Sequence, residues 1–324
     1  MTCPEGTYIA WFGEIDRRDV AMAGGKGASL SDMLRAGMPV PPGFVICTGA
    51  FRQFLQDGGL EVEIDHLMQE LDVEDNARLE RIAEQITQKI ENTDPSPQIH
   101  DLIVGAYQRL CADYGGTAVV AVRSSAAAED SQAASFAGQQ ETYLNIFGDE
   151  NVLCQVRACW SSFFKPRAIF YRGQKGSLKD TSMAVVVQRM VNPDKSGVMF
   201  TADPVQRRRD RVMIEAAWGL GEAVVSGLVT PDNYVVNKSD RRLVSKFIPR
   251  KPLMITRQES GLGVRQVDLP ADKAQAQVLS AEEIERLAEL GDLIEVHFGS
   301  PQDVEWAIEG NTLYVLQSRP VTTL

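Results

Sequence analysis

Four side chains close to the C-terminal end have the types and spacing to work on a polyphosphate. Residues 301–320 read PQDVEWAIEGNTLYVLQSRP, two short strands around a tight turn. Asp303 and Glu305 alternate on the first strand, Gln317 and Arg319 on the second, so each pair shares a face. A hard cation such as Mg²⁺ takes oxygen ligands and bridges phosphate oxygens. Glu305 and Gln317 are the expected ligands, with Asp303 as a supporting partner. Arg319 is expected to lie along the phosphoryl group being transferred. A buried salt-bridge network would use the same residue types. Only four residues follow Pro320. The expectation is a chain that activates a phosphate donor while the group receiving the phosphate lies elsewhere.

Four further segments point the same way. In GGKGASL (24–30) the glycines let backbone N–H groups approach an anion, the following helix start favours negative charge, and Lys26 can reach a phosphate. The GxxxxGK[ST] spacing is missing, and a solvated lysine at a glycine-rich helix start fits the same string. In VAVRSSAAAEDSQAASFAGQQETYLNI (120–146), Arg123 ends an apolar run and precedes a long loop of small residues. That loop suits a flap over phosphates, which Arg123 would neutralise in a two-pronged contact. A surface loop with Arg123 in a structural ion pair is the alternative. VVVQRMV (185–191) offers Gln188, Met190 and Val191 as an adenine edge, or simply as core. EAAWGLGEAVVSGLVTPDNYVV (215–236) places Glu215 at a strand end before a Gly-Leu-Gly turn that implies close backbone approach.

These groups need a mixed α and β frame. Residues 9–15 read as a strand, 24–37 as a Gly-rich turn and helix ending at Gly37, and 38–51 as extended with a helix entered after Thr48. Residues 76–92 and 97–113 have helical periodicity, with Leu79, Ile82, Ile86 and Ile90 on one stripe. A buried strand at 117–125 and one helix over 149–174 follow. The remainder is rich in strands: 184–191, 196–203, 211–218 and the final hairpin. One late helix interrupts them, with Ser280 and Glu283 as a capping box and Ile284, Leu287, Leu290, Leu293 and Ile294 as its apolar stripe. The chain divides near residue 190. The expected architecture is two lobes, 1–190 and 191–324, with a nucleotide cleft between them.

Composition narrows the class. The 324 residues are 44% hydrophobic and 24% charged, ordinary for a soluble domain. No apolar run approaches the ~20 residues that span a bilayer, and the acidic N-terminus has no secretory h-region. A net charge of −11 argues against nucleic acid as a partner. Five scattered cysteines without a CxxC pair read as reduced thiols of a cytoplasmic protein. His66, His100 and His297 lie in polar helical contexts and are expected to be structural. The basic run Arg207–Arg211 reads as a solvated hairpin tip.

Taken together and in order, GGKGASL, PVPPGFVICTGAF, VRSSAAAED, SFAGQQETYLNI, VVVQRMV, SGVMFTADP, EAAWGLGEAVVSGLVTPD, QDVEWAI and LYVLQSRP resemble the N-terminal nucleotide-binding domain of the phosphoenolpyruvate synthase and pyruvate phosphate dikinase family. Rifampin phosphotransferases and phenylphosphate synthase belong to the same group. The resemblance runs from about residue 10 to 321. It implies an α+β, ATP-grasp fold whose two lobes hold ATP and Mg²⁺. It implies Lys26 and Arg123 on the phosphates, Gly138, Gln139, Gln140, Glu141 and Thr142 as the flap, and Gln188, Met190 and Val191 at adenine. Glu215 would border the nucleotide, Glu305 and Gln317 would hold Mg²⁺, and Arg319 would contact the transferred group. Relatives usually carry Thr where this chain has Ala127, and Leu-Pro-Asp where it has Ser131, Gln132 and Ala133. Relatives also continue into a swivelling domain with a phosphohistidine.

The resemblance implies a phosphotransferase subunit or domain that passes a phosphoryl or pyrophosphoryl group from ATP to a histidine on a separate domain or subunit. AMP and Pi would be the products, with pyruvate or a hydroxyl compound such as phenol as final acceptor. Phenylphosphate synthase has such a split arrangement. Two other readings are a non-catalytic nucleotide-binding regulatory module and an excised domain of a rifampin-type phosphotransferase.

Overall fold

A computed structural model describes residues 6–73, 75–126, 141–174 and 182–322. The chain forms two compact units, one of residues 1–32 and 42–189 and the other of 33–41 and 190–324.

The first unit contains β1 (Ile9–Trp11), α1 (Val20–Arg35), β2 (Gly43–Ile46), α2 (Thr48–Asp57), α3 (Leu60–Gln69), α4 (Asn76–Asn92) and α5 (Pro97–Asp113); the last turn of α1 falls in the second unit. β3 (Val120–Ala126), β4 (Thr142–Ile146), α6 (Asp149–Ser162), α7 (Pro166–Gln174) and β5 (Met183–Arg189) complete it. Its antiparallel sheet has the order β1-β2-β5-β3-β4. One face carries Phe44, Ile46, Val120, Val122, Val185 and Val187, and these join the stripes of the helices in one core. Trp160 anchors that core, its ring centroid 4.8 Å from Phe54 and 5.4 Å from Phe51. The α4 stripe is buried as its spacing predicts, and Asp75 caps the helix by accepting from Arg78 N. The expected single helix over 149–174 is two, because the chain turns at Phe163–Lys165 and Pro166 then starts α7. The expected strand over 9–15 shortens to three residues.

The second unit contains β6 (Lys195–Phe200), β7 (Arg211–Trp218), α8 (Glu222–Val225), β8 (Asp232–Asn237) and β9 (Leu243–Phe247). β10 (Leu253–Arg257), β11 (Val264–Asp268), α9 (Ala271–Gln275), α10 (Ala281–Phe298), β12 (Gln302–Glu309) and β13 (Thr312–Pro320) follow. Six strands form an antiparallel sheet in the order β13-β12-β6-β7-β8-β9, and β10 pairs β11 separately. The Ser280–Glu283 capping box starts α10 as expected. Its buried stripe is Ile284, Leu287, Ala288, Leu290, Gly291 and Ile294, whereas Leu293 points outward and is 63% exposed. Position 293 falls off the 3.6-residue stripe, and Gly291 lets Met199 approach instead. Gly219 has φ +74 and sits against the Ile255 carbonyl, the close approach its turn implied.

A buried ion pair fixes β8. The Lys251 ammonium, fully buried, donates to the Asp232 carboxylate and to Pro249 O. Asp232 also accepts from Tyr234 Oη at 2.8 Å and Val278 N at 2.7 Å. A buried lysine is tolerable only with its charge paired and its donors satisfied. The clasp sets the start of β8 and therefore the position of its next residue, Asn233.

Candidate functional site

The terminal hairpin forms as its alternation predicts, and its register decides what shares a face. Glu305 stands directly opposite Gln317, and Asp303 opposite Arg319. The pairing shifts between Glu305 and Trp306, where β13 carries one extra residue, Leu316. Val315 and Gln317 are two apart and would share a face in a regular strand. The bulge lets Val315 join Trp306 in the buried layer while Gln317 stays with Glu305.

Across the sheet the row continues. Glu305 opposes Val198 on β6, Val198 opposes Glu215 on β7, and Glu215 opposes Asn233 on β8. Glu215 is therefore mid-strand, not at a strand end as its sequence context suggested. Gln317, Glu305, Glu215 and Asn233 thus line one transverse row, broken only by Val198. Nothing local in the sequence marks Asn233 as a site residue; only the strand pairing does.

The electrostatics of this face are tight. Arg319 Nε donates to Asp303 at 2.9 Å. Burial raises the Asp303 carboxyl above its ordinary value, with Arg319 working against the rise and Glu305 adding to it. Burial also raises Glu215, and the Asp303 charge adds to that. The Glu215 carboxylate makes no hydrogen bond or ion pair among the described residues, nor does the Asn233 side chain. Polar groups left this way in a half-buried setting are more common at working sites than in frameworks.

The donor set suits Mg²⁺. A carboxylate and an amide oxygen are hard ligands, and the Cβ atoms of opposed residues on a strand pair lie about 5 Å apart, which lets both side chains reach one cation. Among the described residues no cluster of three or more His, Cys, Asp or Glu is arranged around a metal position. Two protein ligands with the remainder from phosphates and water is the habit of Mg²⁺ rather than of Ca²⁺ or Zn²⁺.

In the first unit the Gly-rich segment is stitched to β3. Residues 20–35 break at Gly24, whose backbone (φ 69, ψ 168) is open essentially to glycine alone. Ser125 Oγ donates to Ala23 O at 2.9 Å and accepts from Gly27 N at 3.1 Å. Lys26 is not solvated: it is 1% exposed and Nζ donates to Ser124 O at 2.7 Å. Arg123 on β3 opposes Thr142 on β4 and Val186 on β5, and Gln188 lies two residues further along β5. Arg123, Thr142 and Gln188 therefore share the sheet face turned away from the aromatic core. Glu141 is held by Ser124, through Ser124 N to Glu141 O and Glu141 N to Ser124 Oγ, both at 3.0 Å, and its carboxylate pairs with Lys165.

The family model for the pyruvate phosphate dikinase AMP/ATP-binding domain matches residues 20–324. The chain belongs to this family. A probable phosphoenolpyruvate synthase of Archaeoglobus fulgidus is 51% identical to it, over 98% of this chain and 42% of that protein. One of Methanocaldococcus jannaschii is 49% identical over 98% and 27%, and the rifampicin phosphotransferase of Bacillus cereus is 38% identical over 98% and 36%. The chain spans less than half the length of these curated relatives. A crystal structure of D-alanyl-alanine synthetase A from Vibrio cholerae shares 10% identity and superposes with a TM-score of 0.29 over 75% of this chain and 56% of that one, too slight a likeness to argue from.

In this nucleotide-binding domain the remaining sites fall as follows. Met190 and Val191 are buried just after β5. Gly138, Gln139 and Gln140 lie outside the described residues. His66, His100 and His297 sit on α3, α5 and α10. Of the basic run Arg207–Arg211, residues 207–210 are exposed, with Arg208 paired to Asp210, whereas Arg211 is half-buried because it opens β7. Cys47, Cys111, Cys154 and Cys159 are free thiols. Among the described residues no helix is long and apolar enough to cross a membrane.

The raised Glu215 carboxyl carries a stability consequence. A carboxyl that holds its proton more tightly when folded lowers stability as pH rises from its unfolded value, about 4.3, through its folded one. The penalty persists at neutral pH and is absent in acid. Glu215→Gln is therefore expected to be more stable than wild type at pH 7, by less than about 1 kcal/mol because the half-buried group keeps part of its hydration. Urea denaturation at pH 7 and at pH 3.5 should show the gain only at the higher pH.

Proposed function

We propose that this chain is the ATP-binding part of a phosphoenolpyruvate-synthase-like phosphotransferase with an ATP-grasp arrangement. It binds Mg-ATP and passes a phosphoryl or pyrophosphoryl group to a histidine on a separate domain or subunit, giving AMP and Pi overall. Pyruvate is the first candidate for the final acceptor, from the names of the nearer relatives, with phenol or another hydroxyl compound as the alternative. The cytoplasm is the proposed setting, in keeping with the free thiols.

The observation that carries this reading is the Glu305–Gln317 pair with Asp303 and Arg319 beside it on the same face. Glu305 and Gln317 would hold Mg²⁺, which would neutralise phosphate charge. Arg319, oriented by Asp303, would meet the group in transfer. Lys26 and Arg123 would neutralise the remaining phosphates, Gly138–Thr142 would cover them, and Gln188, Met190 and Val191 would border adenine. Catalysis would rest on positioning and charge neutralisation.

The test is transfer from ATP labelled at the β or the γ position, with Mg²⁺ and a candidate histidine-bearing protein. β label on the histidine protein together with AMP is the expected result. γ label alone with accumulating ADP would refute the AMP-forming assignment, and a chain that fails to bind Mg-ATP by calorimetry would refute the reading altogether.

A further inference from the structure

The row that holds the metal pair extends sideways, and the direction of β6 says what lies there. Met190 and Val191 precede the start of β6 at Lys195, whereas Asp303, with Arg319 opposite it, pairs with Phe200 at the other end. Glu305 is level with Val198, between those ends. On the function proposed above, Met190 and Val191 would place adenine off the start of β6, Glu305 and Gln317 would hold the metal and phosphates near Val198, and Arg319 would meet the transferred group towards Phe200. The ribose belongs between adenine and metal, level with Ser196. Glu215 and Asn233 are not there. They stand level with Val198 and Glu305, displaced across the sheet by one and two strands from β6, each step about 4.8 Å. They flank the phosphates on the side away from the hairpin.

A carboxylate beside a polyphosphate repels it unless a cation or a hydrogen-bond donor comes between them, and the Glu305 carboxylate that would hold the cation is two strands away from Glu215. Glu215 has no such donor among the described residues, and neither has the Asn233 amide oxygen. The proposed acceptor, a histidine imidazole, supplies one. A ring that attacks with one nitrogen carries its proton on the other, and it gains positive charge as the new bond forms. A carboxylate holding that N–H fixes the tautomer and stabilises the developing charge.

We infer that Glu215 is a catalytic residue that accepts a hydrogen bond from the ring N–H of the acceptor histidine, with Asn233 beside it orienting the same ring. The inference rests on the phosphotransferase reading. In the step, the unprotonated ring nitrogen forms the N–P bond. The P–O bond to the leaving group breaks, and its electron pair departs on that oxygen. The other ring nitrogen keeps its proton, held by Glu215, until the ring is released. Asp232 and Lys251 act behind this pair by fixing the strand that bears Asn233.

Free imidazole is the probe, with 1-methylimidazole, which has no ring N–H, as its control. Mg-ATP affinity is measured first by calorimetry, and turnover then by nucleotide analysis. Wild type is expected to turn over ATP with imidazole and much more slowly with 1-methylimidazole. At saturating Mg-ATP, Glu215→Gln, whose amide oxygen still accepts but carries no charge, should lose about 100-fold in imidazole-dependent rate, and Glu215→Ala, which removes the acceptor, should no longer distinguish the two probes. Asn233→Ala should lose about 10-fold. Equal rates with the two probes in wild type, no imidazole-dependent turnover in a wild type that binds Mg-ATP, or full activity in Glu215→Gln would each overturn the inference. Absence of Mg-ATP binding in wild type would instead remove the underlying function.

Discussion

Glu305→Ala should abolish the dependence of ATP binding on Mg²⁺, weakening Mg-ATP binding by at least about 100-fold, or about 2.7 kcal/mol. Glu305 is the charged member of the opposed pair; without it Gln317 offers the cation a neutral amide alone. Mg²⁺ dehydrates reluctantly and needs near-octahedral oxygen donors, so an amide by itself holds it poorly. Asp303 does not substitute, because it is two residues along the strand and engaged by Arg319. Calorimetric titration with ATP in Mg²⁺ and in EDTA should give two affinities for wild type and one for the variant. Glu289→Ala, an exposed carboxylate on α10, should behave as wild type. An unchanged difference between the two titrations in Glu305→Ala would remove Glu305 from the metal site.

Gly24→Ala should cost about 3 kcal/mol or more and loosen ATP binding with it. An added Cβ would lie 2.1 Å from Ser125 O and 2.2 Å from Ser125 Oγ, on a backbone with φ +69. Ser125 is fully buried and bonds both Ala23 and Gly27, so it cannot step aside. The Gly-rich segment would lift off β3, and Lys26 would lose its hold on Ser124 O. Gly37→Ala makes the contrast: φ is +80 there too, but nothing lies within 4 Å of the added atom. Its cost should be the conformational one only, about 1 kcal/mol. Denaturant unfolding of the two variants, with ATP titration of each, separates steric exclusion from backbone preference. Equal losses would show that the Ser125 contact is unimportant.

Much of the frame was legible because it is local. The apolar stripe of α4, the Ser280–Glu283 box and the two strands of the hairpin depend on residues three, four or two apart, and all three formed where the spacing placed them. The misreadings were local patterns with a non-local outcome. Periodicity ran through 163–165 although the chain turns there, and Leu293 kept the composition of the stripe without its angle. Lys26 shows the same limit at the site: a lysine in a glycine-rich turn reads locally as a phosphate ligand or as solvated, and nothing there reveals that strand β3, almost a hundred residues on, supplies a carbonyl for its buried ammonium.

The sequence by itself determined which chemistry is present: two carboxylates, an amide and a guanidinium at alternating positions, arginine and lysine beside glycines, and the family to which their order belongs. Those features are covalent neighbours, and their side-chain direction follows from the helical and extended periods. Only the tertiary structure decided which of them face one another. Register between strands distant in sequence depends on pairing across the whole sheet, and a single extra residue reverses a face. Leu316 keeps Gln317 with Glu305, and the pairing of Val198 with both Glu305 and Glu215 brings Asn233 into line. No local pattern carries that information, because it resides in hydrogen bonds between segments that meet only when the sheet has formed.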